Sequence, residues 1–81
     1  MMILSQDGKK IVSTDNLNYI EFEEIENNYK SYTYTISANF TKEQILLGKY
    51  KSYERAKEIL ENMYKKLKVE NFSFTYEMPK E

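Results

Sequence analysis

Glu21, Glu23, Glu24 and Glu26 place four carboxylates within six consecutive residues. On an extended segment Glu21 and Glu23 share one face, and Glu24 and Glu26 share the other. Such a row suits a contact surface for a basic partner, a mimic of nucleic-acid charge, or a weak divalent-cation site. The plain alternative is a solvated strand end with Lys10 and Lys30 near it. A calcium or magnesium site needs a loop that wraps oxygen ligands round the ion, and no such loop is evident. Paired carboxylates also hydrolyse glycosides, but from a cleft deeper than so small a domain offers. A second candidate is Ser52 with Lys49 and Lys51 just before it: a helix opening at Ser52 would turn its first amides toward an anion. There the plain alternative is simple capping. A third is a hydroxyl-bearing face, Thr33, Thr35, Ser37, Asn39, Ser73 and Thr75, which is either an ordinary solvent-facing side of a sheet or a flat binding surface flanked by Leu17 and Tyr19.

The residues that are missing narrow the chemistry. The 81 residues include no His and no Cys. The commonest general base, the commonest zinc ligand, thiolates and disulfides go with them. The serines have no His to activate them. The two glycines, Gly8 and Gly48, lie too far apart to form a phosphate-cradling loop. An enzyme is not expected, and neither is a cofactor or a metal. Twelve basic and thirteen acidic residues leave a net charge of −1, which argues against nucleic acid as a direct partner. No apolar run reaches spanning length and no signal segment is evident, so the expected location is the cytoplasm, without a membrane partner. Eight Tyr and four Phe, with no Trp, serve either a small sheet's core or an interface.

The elements that must carry these groups are legible from periodicity. Tyr32 to Phe40 and Phe72 to Met78 alternate apolar with small polar residues, the period of a half-buried strand. Asp7-Gly8 signals a tight type I′ hairpin between strands 2–6 and 9–13, with Leu4 opposite Ile11 and Ile3 opposite Val12. A strand over 17–26 puts Ile20 and Phe22 on one face. Matching that face to Tyr34 and Ile36 in a strand over 30–40 requires an odd-length turn, three residues at Asn27-Asn28-Tyr29, with Phe22 opposite Tyr34. Asn tolerates the left-handed conformation such a turn needs. Thr41 to Gln44 reads as a turn into a strand over 44–50, although it also resembles a helix capping box. Leu46, Gly48 and Tyr50 then share a face, and Gly48 leaves room for something packed above the sheet.

That something is a helix over 53–67. Ser52 caps it, Glu54 sits in its first turn and Lys65, Lys66 and Lys68 crowd its end. Tyr53, Ala56, Leu60, Met63, Tyr64 and Leu67 form its apolar stripe. Phe72, Phe74, Tyr76 and Met78 of a last strand over 72–78 face that stripe. The expected fold is α+β: one antiparallel or mixed sheet of five to six strands in a single domain, with one amphipathic helix on one face.

Two stretches resemble a family of short, functionally unsettled proteins encoded by phages and prophages of Gram-positive bacteria. They are Ile3-Leu4-Ser5-Gln6-Asp7-Gly8-Lys9-Lys10-Ile11-Val12 and Leu47-Gly48-Lys49-Tyr50-Lys51-Ser52-Tyr53-Glu54-Arg55-Ala56-Lys57-Glu58-Ile59-Leu60. Residues 15–44 lie outside the resemblance. It implies a genomic setting and assigns no role to any residue. With that setting, the expected function is a non-enzymatic binding protein that blocks a host antiviral defence, by covering a surface of a host protein or by sequestering a small anionic ligand. The alternative is a structural or regulatory homo-oligomer that assembles through its sheets. The residues expected to meet a protein partner are Glu21, Glu23, Glu24 and Glu26; those expected to meet an anion are Lys49, Lys51 and Ser52.

Overall fold

A computed structural model of the chain describes residues 1–28, 30–68 and 75–81. Among them run β1 (Met2–Leu4), β2 (Ile11–Ser13), β3 (Tyr19–Glu26), β4 (Tyr32–Asn39), β5 (Gln44–Tyr50), α1 (Tyr53–Lys68) and β6 (Thr75–Glu77). The class is α+β, but the strands form two three-stranded sheets, β2-β1-β6 and β3-β4-β5, where one sheet was expected. Helix α1 carries the chain from β5 to β6, which lies parallel to β1. A parallel pairing needs a long crossover of this kind. Phe72, Ser73 and Phe74 of the expected last strand lie outside the described residues. Tyr76 is half-buried and Met78 buried.

The first hairpin has the expected register, Ile3 opposite Val12 and Leu4 opposite Ile11. Its turn differs from the type I′ reading. Of Asp7 and Gly8 only Gly8 has a positive φ, 73°. The Gly8 N–H donates to the Ser5 carbonyl (2.9 Å), and Ser5 Oγ and the Lys9 N–H both donate to Asp7 Oδ1 (2.6 and 2.9 Å). The antiparallel bonding therefore ends at Ser5, whose N–H donates to the Lys10 carbonyl (2.9 Å), and Gln6 is released to bond elsewhere. Its N–H donates to the Leu47 carbonyl of β5 (2.8 Å). Its side-chain amide accepts from the Lys49 N–H (2.8 Å) and donates to the Lys49 and Lys80 carbonyls (2.9 Å each). A single residue thus links the two sheets and the chain's last turn.

Strands β3 and β4 pair as Phe22 opposite Ile36 and Ile20 opposite Ala38. The expected faces are matched, two residues out of the expected register. The turn keeps the expected three-residue length but is shifted one residue along: Asn27 pairs with Ser31, its N–H donating to the Ser31 carbonyl (2.8 Å), and Lys30, not an asparagine, takes the left-handed conformation at φ 58°. Strand β5 spans the expected residues, but a bulge falls between its pairings with Ile36 and Ser37. Leu47 is the extra residue. It turns into the core, while Leu46 is exposed and no longer shares the face of Gly48 and Tyr50. A bulge breaks alternation, which is why period two misassigns Leu46.

The apolar side of β3-β4-β5 meets α1. Ser52 caps the helix, its Oγ accepting from the Arg55 N–H (3.2 Å). The buried stripe is Ala56, Ile59 and Met63; Leu60 is half-buried, and Tyr53, Tyr64 and Leu67 are exposed. The expected stripe is thus rotated toward Ile59. The small Ala56 lets the helix approach the sheet closely. Tyr53 packs edge-on against Phe22 and Tyr34, ring centres 5.6 and 5.8 Å away, which holds the helix in this rotation.

The space over Gly48 is filled by the neighbouring Tyr50. A Cβ at position 48 would lie 2.7 Å from the Tyr50 hydroxyl oxygen and 2.8 Å from its ring. That ring is buried and its hydroxyl donates to the Pro79 carbonyl (2.8 Å), so it is not free to swing away. Gly48→Ala is expected to destabilise the protein by about 1–3 kcal/mol through overpacking. Urea denaturation checks this, and Gly48→Ala with Tyr50→Leu should recover part of the loss.

Candidate partner-binding face

The side of β3-β4-β5 turned away from the helix carries the polar residues of all three strands. Its middle row is Thr35, Ser37 and Asn39 of β4. These are buried, not solvent-facing as an ordinary hydroxyl ladder would be. The cause is steric. Short side chains on the central strand sit below longer ones from both flanks: Glu21, Glu23 and Tyr19 on β3, Gln44, Leu46 and Lys49 on β5. Gln44 Nε2 reaches over β4 to donate to Glu21 Oε1 (3.1 Å). Tyr19 and Leu46 are exposed at the rim, whereas Leu17, expected beside Tyr19, packs against the core.

Two features of this face are electrostatically unfinished. Contact with Glu21 raises the Glu23 carboxyl above its usual range, first by a shared hydrogen bond and then by like charge. Among the described residues none of the four β3 carboxylates forms an ion pair; Arg55 with Glu58 is the pair found. Lys10 and Lys30 therefore do not neutralise the row. Beside it, Asn39 is 8% exposed and its buried Nδ2 has no acceptor. A buried N–H without a partner costs about 1–3 kcal/mol, so native structures rarely keep one. The crowded carboxylates leave negative charge on this face without a paired cation.

The structure divides the four acidic candidates. Glu21 and Glu23 belong to this face. Glu24 and Glu26 point to the other side, opposite Tyr34 and Tyr32, where Glu24 helps to raise the Tyr34 hydroxyl's pKa after burial has done most of it. Asn39 was expected on this face, as part of its hydroxyl-bearing row, whereas Gln44 was not singled out by sequence. Their roles depend on which residues the strands bring side by side.

The basic candidates gather in a cavity of about 390 Å3 lined by Lys49, Tyr50, Lys51, Ser52, Arg55, Lys80 and Glu81. Arg55 and Lys80 were absent from the sequence reading, because Lys80 comes from the far end of the chain. Much of this charge is already engaged. Lys80 Nζ donates to the Gln6 carbonyl (3.0 Å), and Arg55 Nε to the Glu81 carbonyl (2.7 Å). The Ser52 hydroxyl caps the helix and donates to Glu54 (3.2 Å). Lys49 and Lys51 remain the open cations. Burial pushes the Tyr50 hydroxyl up to about 12, so it stays a proton donor at the cavity wall.

Among the described residues no group of three or more acidic, His or Cys side chains is placed to hold a metal ion, and no helix is long and apolar enough to cross a membrane. Compared with protein-family models, curated proteins and solved structures, the chain has no match.

Proposed function

We propose that this protein is a non-catalytic binding protein that seats a cationic side chain of a host protein on the outer face of β3-β4-β5, between Glu21 and Glu23. The observation that carries this reading is the carboxylate pair left without a cation. A guanidinium or ammonium group relieves the repulsion. Tyr19 and Leu46 supply apolar contact at the rim. The phage or prophage setting, drawn from the two resembling stretches, makes the partner a cytoplasmic host defence protein whose basic surface is covered.

Charge reversal separates the faces. Glu21→Lys with Glu23→Lys is expected to abolish inhibition of the host defence in infected cells. Glu24→Lys with Glu26→Lys, on the opposite side, is expected to leave it near the parental level. Equal loss from both pairs would reject a site on this face.

Binding should also depend on pH in a defined direction. A bound cation favours the ionised Glu23 carboxyl, and so expels the proton that the free protein holds below the raised value. Affinity therefore rises as pH rises through the raised value, and calorimetry in buffers of different ionisation enthalpy should register proton release. Stability moves the other way. The raised pKa favours the folded state below the ordinary carboxylate range, and that advantage is lost as pH rises through the raised value.

The basic cavity supports a second reading, sequestration of a small phosphate-bearing ligand. Its volume falls in the usual range for ligand pockets. Inhibition lost with Lys49→Glu and Lys51→Glu, but kept with Glu21→Lys and Glu23→Lys, would select it.

A further inference from the structure

Among the described residues, helix α1 carries more apolar surface than the sheets cover. Beside the buried stripe of Ala56, Ile59 and Met63 runs a second row, Tyr53, Lys57, Leu60, Tyr64 and Leu67, apolar but for Lys57, whose Nζ lies 5.9 Å from the Phe22 ring centre. Its steps alternate four and three residues. That is the 3.5-residue period of a helix-to-helix seam, narrower than the face a globular core needs. Tyr53 is 45%, Tyr64 63% and Leu67 38% exposed. Between Leu60, Tyr64, Leu67 and Ile20 of β3 lies a groove of about 400 Å3, with almost no polar lining except Glu61.

We propose that this outer stripe is the interface between two copies of the chain, packed helix against helix in antiparallel orientation. The occupant and its direction follow from charge. Glu54, Glu61 and Lys68 recur every seven residues along the solvent flank of the stripe. Lys68 Nζ lies 5.5 Å from the Tyr64 ring centre, which keeps it beside the seam. An antiparallel copy brings its Lys68 to Glu54 at both ends of the interface. A parallel copy would put the two charged flanks on opposite sides of the seam, so that Glu54 and Lys68 never meet across it. The antiparallel arrangement leaves one repulsion, Glu61 facing its counterpart near the two-fold axis. Assembly through the unpaired edge of β3 is the poorer route, because it would align Glu21, Glu23, Glu24 and Glu26 with like charges. The stripe lies opposite the face that carries Glu21 and Glu23, so a dimer would present two such faces outward.

Sedimentation velocity of the full chain at micromolar to sub-millimolar concentrations tests this, with circular dichroism melting of each variant as the folding control. The parent is expected to show a monomer–dimer equilibrium. Tyr64 is mostly exposed, so Tyr64→Glu should melt near the parent while weakening the dimer on the order of a hundredfold. Glu54→Lys and Lys68→Glu should each weaken it by roughly three- to tenfold, and the two together should restore it. Glu61→Gln should tighten it. A parent that stays monomeric throughout overturns the proposal. A dimer indifferent to Tyr64→Glu overturns it too, and a double exchange that fails to restore association overturns the antiparallel packing.

Discussion

Ile59→Ala is expected to destabilise the protein by about 2–5 kcal/mol and to unfold a large share of it at room temperature. Ile59 is fully buried on the inner stripe of α1, in one core with Ile3, Ile36, Leu47 and Met63. Truncation removes apolar contact and leaves a cavity that Ala56 is too small to fill. Leu60→Ala, one residue along, should cost only about 1 kcal/mol, because Leu60 is half-buried at the wall of an open groove. The contrast tests the rotation of the helix. Urea denaturation of both variants checks it, with Ile59→Val expected near about 1 kcal/mol. Equal losses, or a larger loss at Leu60, would place the inner face elsewhere.

Gln6→Met is expected to cost about 2–3 kcal/mol although it keeps the side chain's bulk. Three hydrogen bonds leave with the amide: one from the Lys49 N–H and one each to the Lys49 and Lys80 carbonyls. Each is worth about 1 kcal/mol net. They act where the two sheets and the last turn meet, so their loss also frees one component from another. For a domain of this size the melting temperature should fall by roughly 8–20 °C. Hydrogen exchange gives the sharper check. The Lys49 amide should lose its protection in Gln6→Met, while amides at the β3-β4 pairing keep theirs. Unchanged exchange at Lys49 would show that the clasp does not hold the sheets together.

Local geometry was legible wherever a single period or turn signal governs it. The strand over 44–50, the Ser52 cap and the pairing of Ile3 with Val12 all follow from signals spanning a few residues. Face matching between Phe22 and the β4 residues is also correct. The register is two residues off because the three-residue turn sits one position further along, closed by Asn27 on Ser31 with Lys30 left-handed, and no residue type announces that. The same limit applies to the first turn, where an Asp-Gly pair is compatible with more than one geometry. The choice fell to Ser5 and Asp7 bonding each other.

The functional candidates divide along the same line. That β3 bears acidic residues on both faces is a property of alternation, and so it was visible in the chain. That Glu21 and Glu23 lie on the face with Asn39, unneutralised, depends on which strands are neighbours and which lysines stay distant. Lys80 lines the cavity with Lys49 only because β6 runs parallel to β1 and the residues after it return beside β5.

By itself the sequence determined the secondary-structure types, the α+β class and the inward and outward faces of β3 and β4, because these depend on periods of two and 3.6 and on side chains a few positions apart. Only the tertiary structure decided that there are two sheets, that α1 turns Ile59 inward and leaves Leu60 and Tyr64 at the rim, and that Leu47 bulges into the core. Those outcomes come from competition among distant groups for the same space and the same hydrogen bonds. The amide of Gln6, taken from its own hairpin by Leu47 and Lys49, is the clearest case.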